Sequence, residues 1–322
     1  MNTSRISAVA VAVLAVIATG ASAQPYPNRP IRMLVPFSAG SATDFFARAV
    51  GQKMSENWGQ QVVVDNRPSA GGVVASELLL GAVPDGHSLM MVSIGHAVNA
   101  SLYSKLPYDT VRDFAGITLV ADVPNVLIAT PSLGFKSVKD LIDMAKAKPG
   151  AMNYGSAGVG SGTHMNGEQF KLAAGINVVH VPYKGTPEAI TNTIGGSVQF
   201  FFSPITAAVP QVKSGKVTGL AVTTRSRSPV LPDLPTVSEA GLPNFEFNLW
   251  TGLLGPARMP ADVKEKVAAE VARIMALPDI KDRLLTQGAT AHTMSPKEFD
   301  AFIKAEVARL GPVVKASGAR AD

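Results

Sequence analysis

Two stretches of this sequence combine small residues, hydroxyls and glycines in a way that suits holding an anion. The first is Val35-Pro36-Phe37-Ser38-Ala39-Gly40-Ser41-Ala42-Thr43-Asp44, and the second is Asn153-Tyr154-Gly155-Ser156-Ala157-Gly158-Val159-Gly160-Ser161-Gly162-Thr163-His164. Each is expected to lead from a strand end into a helix start. The first amides of a helix have no partner within it, and the helix dipole favours negative charge there. Ser41 or Thr43 can cap the first helix through its hydroxyl, and Asp44 suits a first helical turn. Four glycines and three hydroxyls in the second stretch leave many donors uncrowded by side chains. The chemistry that follows is capture of a small anion by backbone amides, one loop on each side of a cleft.

Other chemistries are poorly supplied. Lys would have to follow Gly160 to make a phosphate loop from Gly155 and Gly160, and Ser161 stands there. The dinucleotide fingerprint needs Gly after Gly158 and Gly160, where Thr163 stands. A Gly-x-Ser-x-Gly elbow is missing, because Tyr154 precedes Ser156 by two residues and Val159 precedes Ser161 by two. The five histidines, His87, His96, His164, His180 and His292, have no metal-ligand spacing. With no cysteine either, no disulfide, thiolate site or cofactor is expected. His96 and His164 follow predicted strand ends or loops on the binding side, where each can donate a hydrogen bond to a carboxylate.

The elements that must position these loops read as alternating strands and helices. Strands are predicted at Ile31–Val35, Val62–Val64 and Ser88–Ser93, with helices at Thr43–Asn57 and Val73–Leu80 between them. A second run holds strands at Val126–Thr130, Met152–Tyr154, Val178–Val181, Val198–Phe202 and Val217–Val222, with helices at Val138–Ala147 and Thr163–Ala174. Arg225–Pro235, with three prolines, reads as a return linker, and helices near 261–275, 278–286 and 296–310 end the chain without further strands. The expected architecture is α/β with two lobes, each a mostly parallel sheet flanked by helices. Residues 24–124 and 225–322 form one lobe, and 125–224 an inserted second.

Composition bounds the class. The 322 residues are 46% hydrophobic and 16% charged, which excludes a disordered chain. Outside the first 23 residues no stretch is long and apolar enough to span a bilayer. A net charge of +5 without basic runs argues against a nucleic-acid partner. Residues 1–23 place Arg5 before an apolar run and close with Ala21-Ser22-Ala23, the layout of a secretory signal peptide. Cleavage is expected near Ala23/Gln24, giving a soluble exported chain, located in the periplasm and acting as a monomer.

An ordered series of motifs resembles the periplasmic solute receptors of tripartite tricarboxylate transporters, the Bug-type receptors. It comprises Tyr26-Pro27-Asn28-Arg29-Pro30-Ile31, Val35-Pro36-Phe37 with Gly40 and Asp44, Asn66-Arg67-Pro68 with Gly71-Gly72, and Pro84-Asp85-Gly86. Tyr154-Gly155-Ser156-Ala157-Gly158 with His164, His180-Val181-Pro182-Tyr183-Lys184-Gly185, Leu234-Pro235-Thr236 and Glu239-Ala240-Gly241 follow. The resemblance implies a Venus-flytrap fold whose lobes close on a small carboxylate held by amides and bridging waters, with no catalytic residue. It implies that Phe37, Ser38, Ala39, Gly40, Ser41 and Asp44 take one end of the ligand. Ser156, Ala157, Gly158, Ser161, Thr163 and His164 would take the other, with His96 nearby and Tyr183 flanking the cleft.

Two departures bear on the ligand. Ala39-Gly40-Ser41 replaces the usual Pro-Gly-Gly, and Ser203 stands where the family carries an Asp lining the cleft. Loss of that Asp points away from hydroxylated dicarboxylates and amino acids and toward aromatic or plain aliphatic carboxylates, dicarboxylates included. The expected function is therefore capture of a small carboxylate and delivery to membrane permease subunits. A secreted α/β hydrolase and a ligand sensor for a signalling partner are the alternatives.

Overall fold

A computed structural model describes residues 25–321. The signal-peptide reading of residues 1–23 lies outside the described residues. Short apolar runs form two sheets whose central strands are buried and whose edge strands β2 and β7 are partly exposed. The first takes β1 (Ile31–Val35), β2 (Val62–Asn66), β3 (Ser88–Ser93), β4 (Phe114–Val123), β10 (Leu249–Pro256) and β11 (Thr290–Ala291), in the order β11-β4-β10-β3-β1-β2. The second takes β5 (Asn125–Ala129), β6 (Asn153–Ser156), β7 (Val179–Pro182), β8 (Phe200–Pro204) and β9 (Thr218–Val222), in the order β7-β6-β8-β5-β9. Each sheet is the centre of one lobe. In the first, β1 pairs in parallel with β2 and β3, whereas β10 runs antiparallel to β3 and β4 and β11 antiparallel to β4. In the second, β6 is parallel to β7 and β8, and β5 is antiparallel to β8 and β9.

Ten helices cover the sheets among the described residues: α1 (Ala42–Trp58), α2 (Val73–Leu80), α3 (Gly95–Leu102), α4 (Val138–Ala147), α5 (Gly162–Ala174), α6 (Thr186–Ile194), α7 (Ile205–Lys213), α8 (Ala261–Met275), α9 (Pro278–Thr286) and α10 (Pro296–Ser317). Capping fixes several of the starts. Ser137 and Ser295 form capping boxes with Asp140 and Glu298 at α4 and α10. No helix among the described residues is long and apolar enough to cross a membrane.

The expectation that the chain ends in helices without further strands is corrected by β10. All eight of its residues are buried in the middle of the first sheet. A strand covered on both faces shows no alternation, and its sequence LWTGLLGP carries glycines that read as a loop. Gly252 meets helix α10, where an added Cβ would sit 2.2 Å from the Phe299 ring. The helix is held there by a buried bond from Trp250 Nε1 to Glu306 Oε2 of 2.8 Å.

The chain passes between lobes at Pro124, which separates β4 from β5, and again between β9 and β10. The two crossings are tied together. Asn125 N donates to Thr223 Oγ1 at 3.0 Å, Thr223 N donates to Asn125 O at 3.0 Å, and Phe247 N donates to Thr223 O at 3.2 Å. Two strands pinned at one height make a hinge about which the lobes can rotate.

Candidate functional site

Three helix starts meet between the lobes. Ser41 caps α1 by accepting from Asp44 N at 3.3 Å, and Ser161 caps α5 by accepting from His164 N at 3.2 Å. Thr186 opens α6 from the same side as α5. These termini converge on a cavity of ≈ 30 Å³ lined by Phe37, Ser41, Ala42, Thr43, Ser93, Val123, Ala157, Ser161, Gly162, Thr163, Thr186, Pro204, Leu249, Trp250 and Thr251. At about 10–15 Å³ per water, such a space suits a short ligand end rather than a large ring system.

The lining carries seven hydroxyls and no ionisable side chain. Ala42 and Thr43 of α1, and Gly162 and Thr163 of α5, occupy the first two helical positions, so their amides have no carbonyl within their helices. Their neighbours are already engaged: Ser41 N donates to Ser38 O, Phe45 N to Ser41 O, Ser161 N to Gly158 O and Met165 N to Ser161 O. Two pairs of open amides, one from each lobe, therefore face a small space rich in hydroxyl donors. Such a site can hold an anion without burying a counter-charge, whose desolvation costs several kcal/mol or more. Among the described residues no group of His, Cys, Asp and Glu could hold a metal ion.

The lobes touch around this space. Gly71 N donates to Val159 O at 2.9 Å, and Ser38 N to Lys184 O at 3.4 Å. Gly162 lies in this seam, where an added Cβ would come within 2.4 Å of both Ile94 and Leu249 of the opposite lobe.

Of the residues singled out in the sequence, Phe37, Ser41, Ala157, Ser161 and Thr163 line the cavity. The others stand off it. Ser38 is the interlobe bond just described, and Ala39 is exposed. Gly40 N donates to Asp44 Oδ2 at 2.8 Å. That carboxylate turns away from the cavity, accepting also from Arg48 Nε at 2.9 Å and Asn66 Nδ2 at 2.9 Å. Burial pushes the Asp44 carboxyl up, but the bonds from Arg48, Gly40 and Asn66 outweigh it and hold it below the usual carboxylate range.

His96 is packed inside the first lobe, against Tyr108 and Phe114, with Nε2 3.0 Å from Thr110 O. Burial pushes it down to about 4, and the ring borders a recess with Phe37 and Ser93 rather than the cavity itself. Ser156 and His164 lie behind the glycine loop, on the far side from the cavity. Gly158 and Tyr183 line a larger recess of ≈ 340 Å³ beside it, with Pro68 and Lys184. Ser203 is fully buried in β8 with its hydroxyl donating to Pro204 O at 3.3 Å. Its neighbour Pro204 reaches the cavity instead.

Sequence reasoning missed Ser93, Thr186, Leu249, Trp250 and Thr251. Thr186 follows Gly185 and precedes Pro187, a helix-start pattern that could have been found. The other signals were hidden in strands buried on both faces.

The family model described as "Tripartite tricarboxylate transporter family receptor" matches residues 46–319. "Protein BugT" of Bordetella pertussis is 32% identical over 324 residues, which is 99% of this chain and 99% of that one. Among solved structures, that of R. palustris Rpa4515 with adipate superposes with a TM-score of 0.88 at 33% identity, over 91% of this chain and 98% of that one. MatC from Rhodopseudomonas palustris with bound malate superposes with a TM-score of 0.86 at 30% identity, over 90% of this chain and 100% of that one.

Proposed function

The chain belongs to the tripartite tricarboxylate transporter receptor family, and from that premise we propose that it captures a small organic carboxylate between its lobes in the periplasm and presents it to a membrane permease. The observation that carries this reading is the pair of open helix starts, Ala42-Thr43 and Gly162-Thr163, facing each other across one hydroxyl-lined cavity without a fixed charge. One carboxylate group can accept from both pairs at once. A ligand so placed bridges the lobes and makes contacts that only the closed form offers, so it shifts the population toward that form. The permease would then recognise the closed receptor.

The cavity volume and its two aromatic walls, Phe37 and Trp250, favour a short aliphatic body over an aromatic ring. Ser93, Thr186 and Thr251 supply hydroxyls for a second polar end. The similar structures carrying adipate and malate support dicarboxylates as the first class to try. A monomer suffices, because both walls come from one chain. Catalysis is not part of the reading: Ser156 Oγ is 2.6 Å from His180 Nε2, yet the serine is fully buried and neither group lines the cavity. Export through residues 1–23 and removal near Gln24 complete it.

A thermal-shift panel of carboxylic acids and their matched primary amides tests the reading. At about 100 times its dissociation constant a ligand adds about 2.7 kcal/mol. With about 2–4 °C per kcal/mol for a chain of this size, the shift is readily measured. Stabilisation by acids and not by amides is the expected outcome. Equal effects of acid and amide would exclude an anion site.

A further inference from the structure

The glycine loop that presents the α5 amides is held from behind by side chains that never reach the cavity. Gly160 N donates to His164 Nδ1 at 3.2 Å, and Gly158 N donates to Ser156 Oγ at 3.1 Å. Ser156 Oγ in turn lies 2.6 Å from His180 Nε2. The two imidazoles stack with centroids 3.9 Å apart and planes within 16°, and Tyr154 continues the stack on His180 at 4.9 Å. A backbone N–H can only donate, so His164 Nδ1 carries no proton and its Nε2 does. Ser156 Oγ also lies 3.2 Å from Gly158 O, so Ser156 ties Gly158 to the His180 ring.

The surroundings keep both rings neutral. From β6 comes Tyr154, whose hydroxyl donates to Glu168 Oε1 at 2.5 Å. From α5 come Glu168 itself and Lys171, whose ammonium donates to both Glu168 oxygens at 2.9 and 3.0 Å. His180 comes from β7, and Phe200 of β8 stacks on Tyr154, with centroids 5.6 Å apart. Burial pushes His164 down to about 4, with Glu168 opposing and Lys171 assisting. Burial, the neighbouring His164 and Lys171 depress His180 further. Glu168 thus already has two cationic or hydroxyl donors, and its Oε1 is 3.9 Å from His164 Nε2, too far for a hydrogen bond.

We propose that His164, backed by His180, is a positioning residue for the anion site: a neutral imidazole acceptor that fixes the Gly160 amide and so aims the first turn of α5 at the ligand. The inference rests on the receptor reading of the cleft and names what controls it. A proton on Nδ1 would set two donors against each other, and the loop would have to release. The same loop carries Val159 O, which accepts from Gly71 N across the lobe interface, so its release loosens ligand contact and lobe contact together. Affinity is accordingly retained above the folded-state value of His164 and lost as pH falls through about 4.

The test uses His164→Asn, whose amide oxygen falls near the Nδ1 position, and His164→Gln, whose amide falls near Nε2. Calorimetric affinity for adipate and malate, and hydrogen exchange at the Gly160 amide, are measured for wild type and both variants. His164→Asn should bind within about threefold of wild type, while His164→Gln should bind about tenfold more weakly and expose the Gly160 amide. Lowering the pH to below 4 should weaken wild type more than His164→Asn; protonation of the acids themselves weakens both alike and cancels in the comparison. Wild-type affinity and unchanged Gly160 protection in His164→Gln would overturn the proposal. If neither acid binds the wild type, the choice of ligand in the receptor reading fails, and the exchange data alone decide the role of His164.

Discussion

Replacing Gly162 by Ala should weaken ligand binding without weakening the lobe that carries it. Gly162 opens α5 without a left-handed φ, so the helix itself tolerates alanine there. The added methyl, however, would lie 2.4 Å from Ile94 Cγ2 and 2.4 Å from Leu249 Cδ2. Carbon contacts are optimal at about 3.5–4.0 Å, so the overlap exceeds about 1 Å on two sides. Both partners are buried, at 0% and 7% exposure, and have little room to yield. Overpacking of this kind costs about 1–3 kcal/mol. Because Ile94 and Leu249 belong to the opposite lobe, only the closed form bears that cost. At 1.4 kcal/mol per factor of ten, apparent affinity should fall by about 5- to 150-fold. The assay is calorimetry with adipate and malate, paired with small-angle scattering, in which the variant should stay more extended at ligand concentrations that compact the wild type. Gly195→Ala serves as control, since its Cβ would meet only Thr191 O at 3.5 Å. Affinity within twofold of wild type, with the same compaction, would refute the placement of Gly162 in the closing seam.

Further outcomes follow from the same geometry. Ser161→Ala removes the α5 cap and should cost about 1 kcal/mol, read as a drop of about 2–4 °C in Tm, together with weaker binding. Asp44 has a depressed carboxyl, so its contribution is present at neutral pH and is lost as pH falls below about 4 through the folded-state value. Asp44→Asn should therefore lower stability at pH 7 by about 1.5–3 kcal/mol and flatten the acid limb of a denaturation series; a limb as steep as wild type would contradict this. Ser203→Asp should destabilise the fold, because a carboxylate would enter a fully buried strand position; urea titration checks this, and an unchanged midpoint would count against it. Since no ionisable side chain lines the cavity, raising salt from about 0.05 to 0.5 M should change affinity less than about threefold. A steep salt dependence would indicate a fixed cationic partner.

The anion site was legible in the sequence where its residues sit at helix starts. Ser41 and Ser161 advertise themselves as caps, and the glycines before Ser161 announce an uncrowded loop. Local chemistry decides such positions. It could not tell which side chains of those loops face inward: Asp44 and His164 occupy the third helical positions, one bond turn past the cavity, and bind their own loops instead. The opposite wall was invisible because Leu249–Thr251 belong to β10, a strand buried on both faces and interrupted by two glycines, of which Gly252 admits Phe299. Likewise Phe114–Val123 has no alternation to mark it, being buried along nearly its whole length. His96 looked available because it follows a strand end, yet short α3 turns it into the core beside Tyr108 and Phe114. Tertiary packing decides those positions, and periodicity carries no record of it.

The central claim, that a carboxylate sits between the starts of α1 and α5, is tested most directly by backbone amide resonances during titration with adipate and malate. Charge-assisted hydrogen bonds to an oxyanion should move the amide protons of Ala42, Thr43, Gly162 and Thr163 downfield together, saturating at one ligand per chain. The matched amides of the same acids should leave these four resonances in place. Saturable binding of an acid that leaves all four unmoved, while shifting residues elsewhere, would contradict the claim.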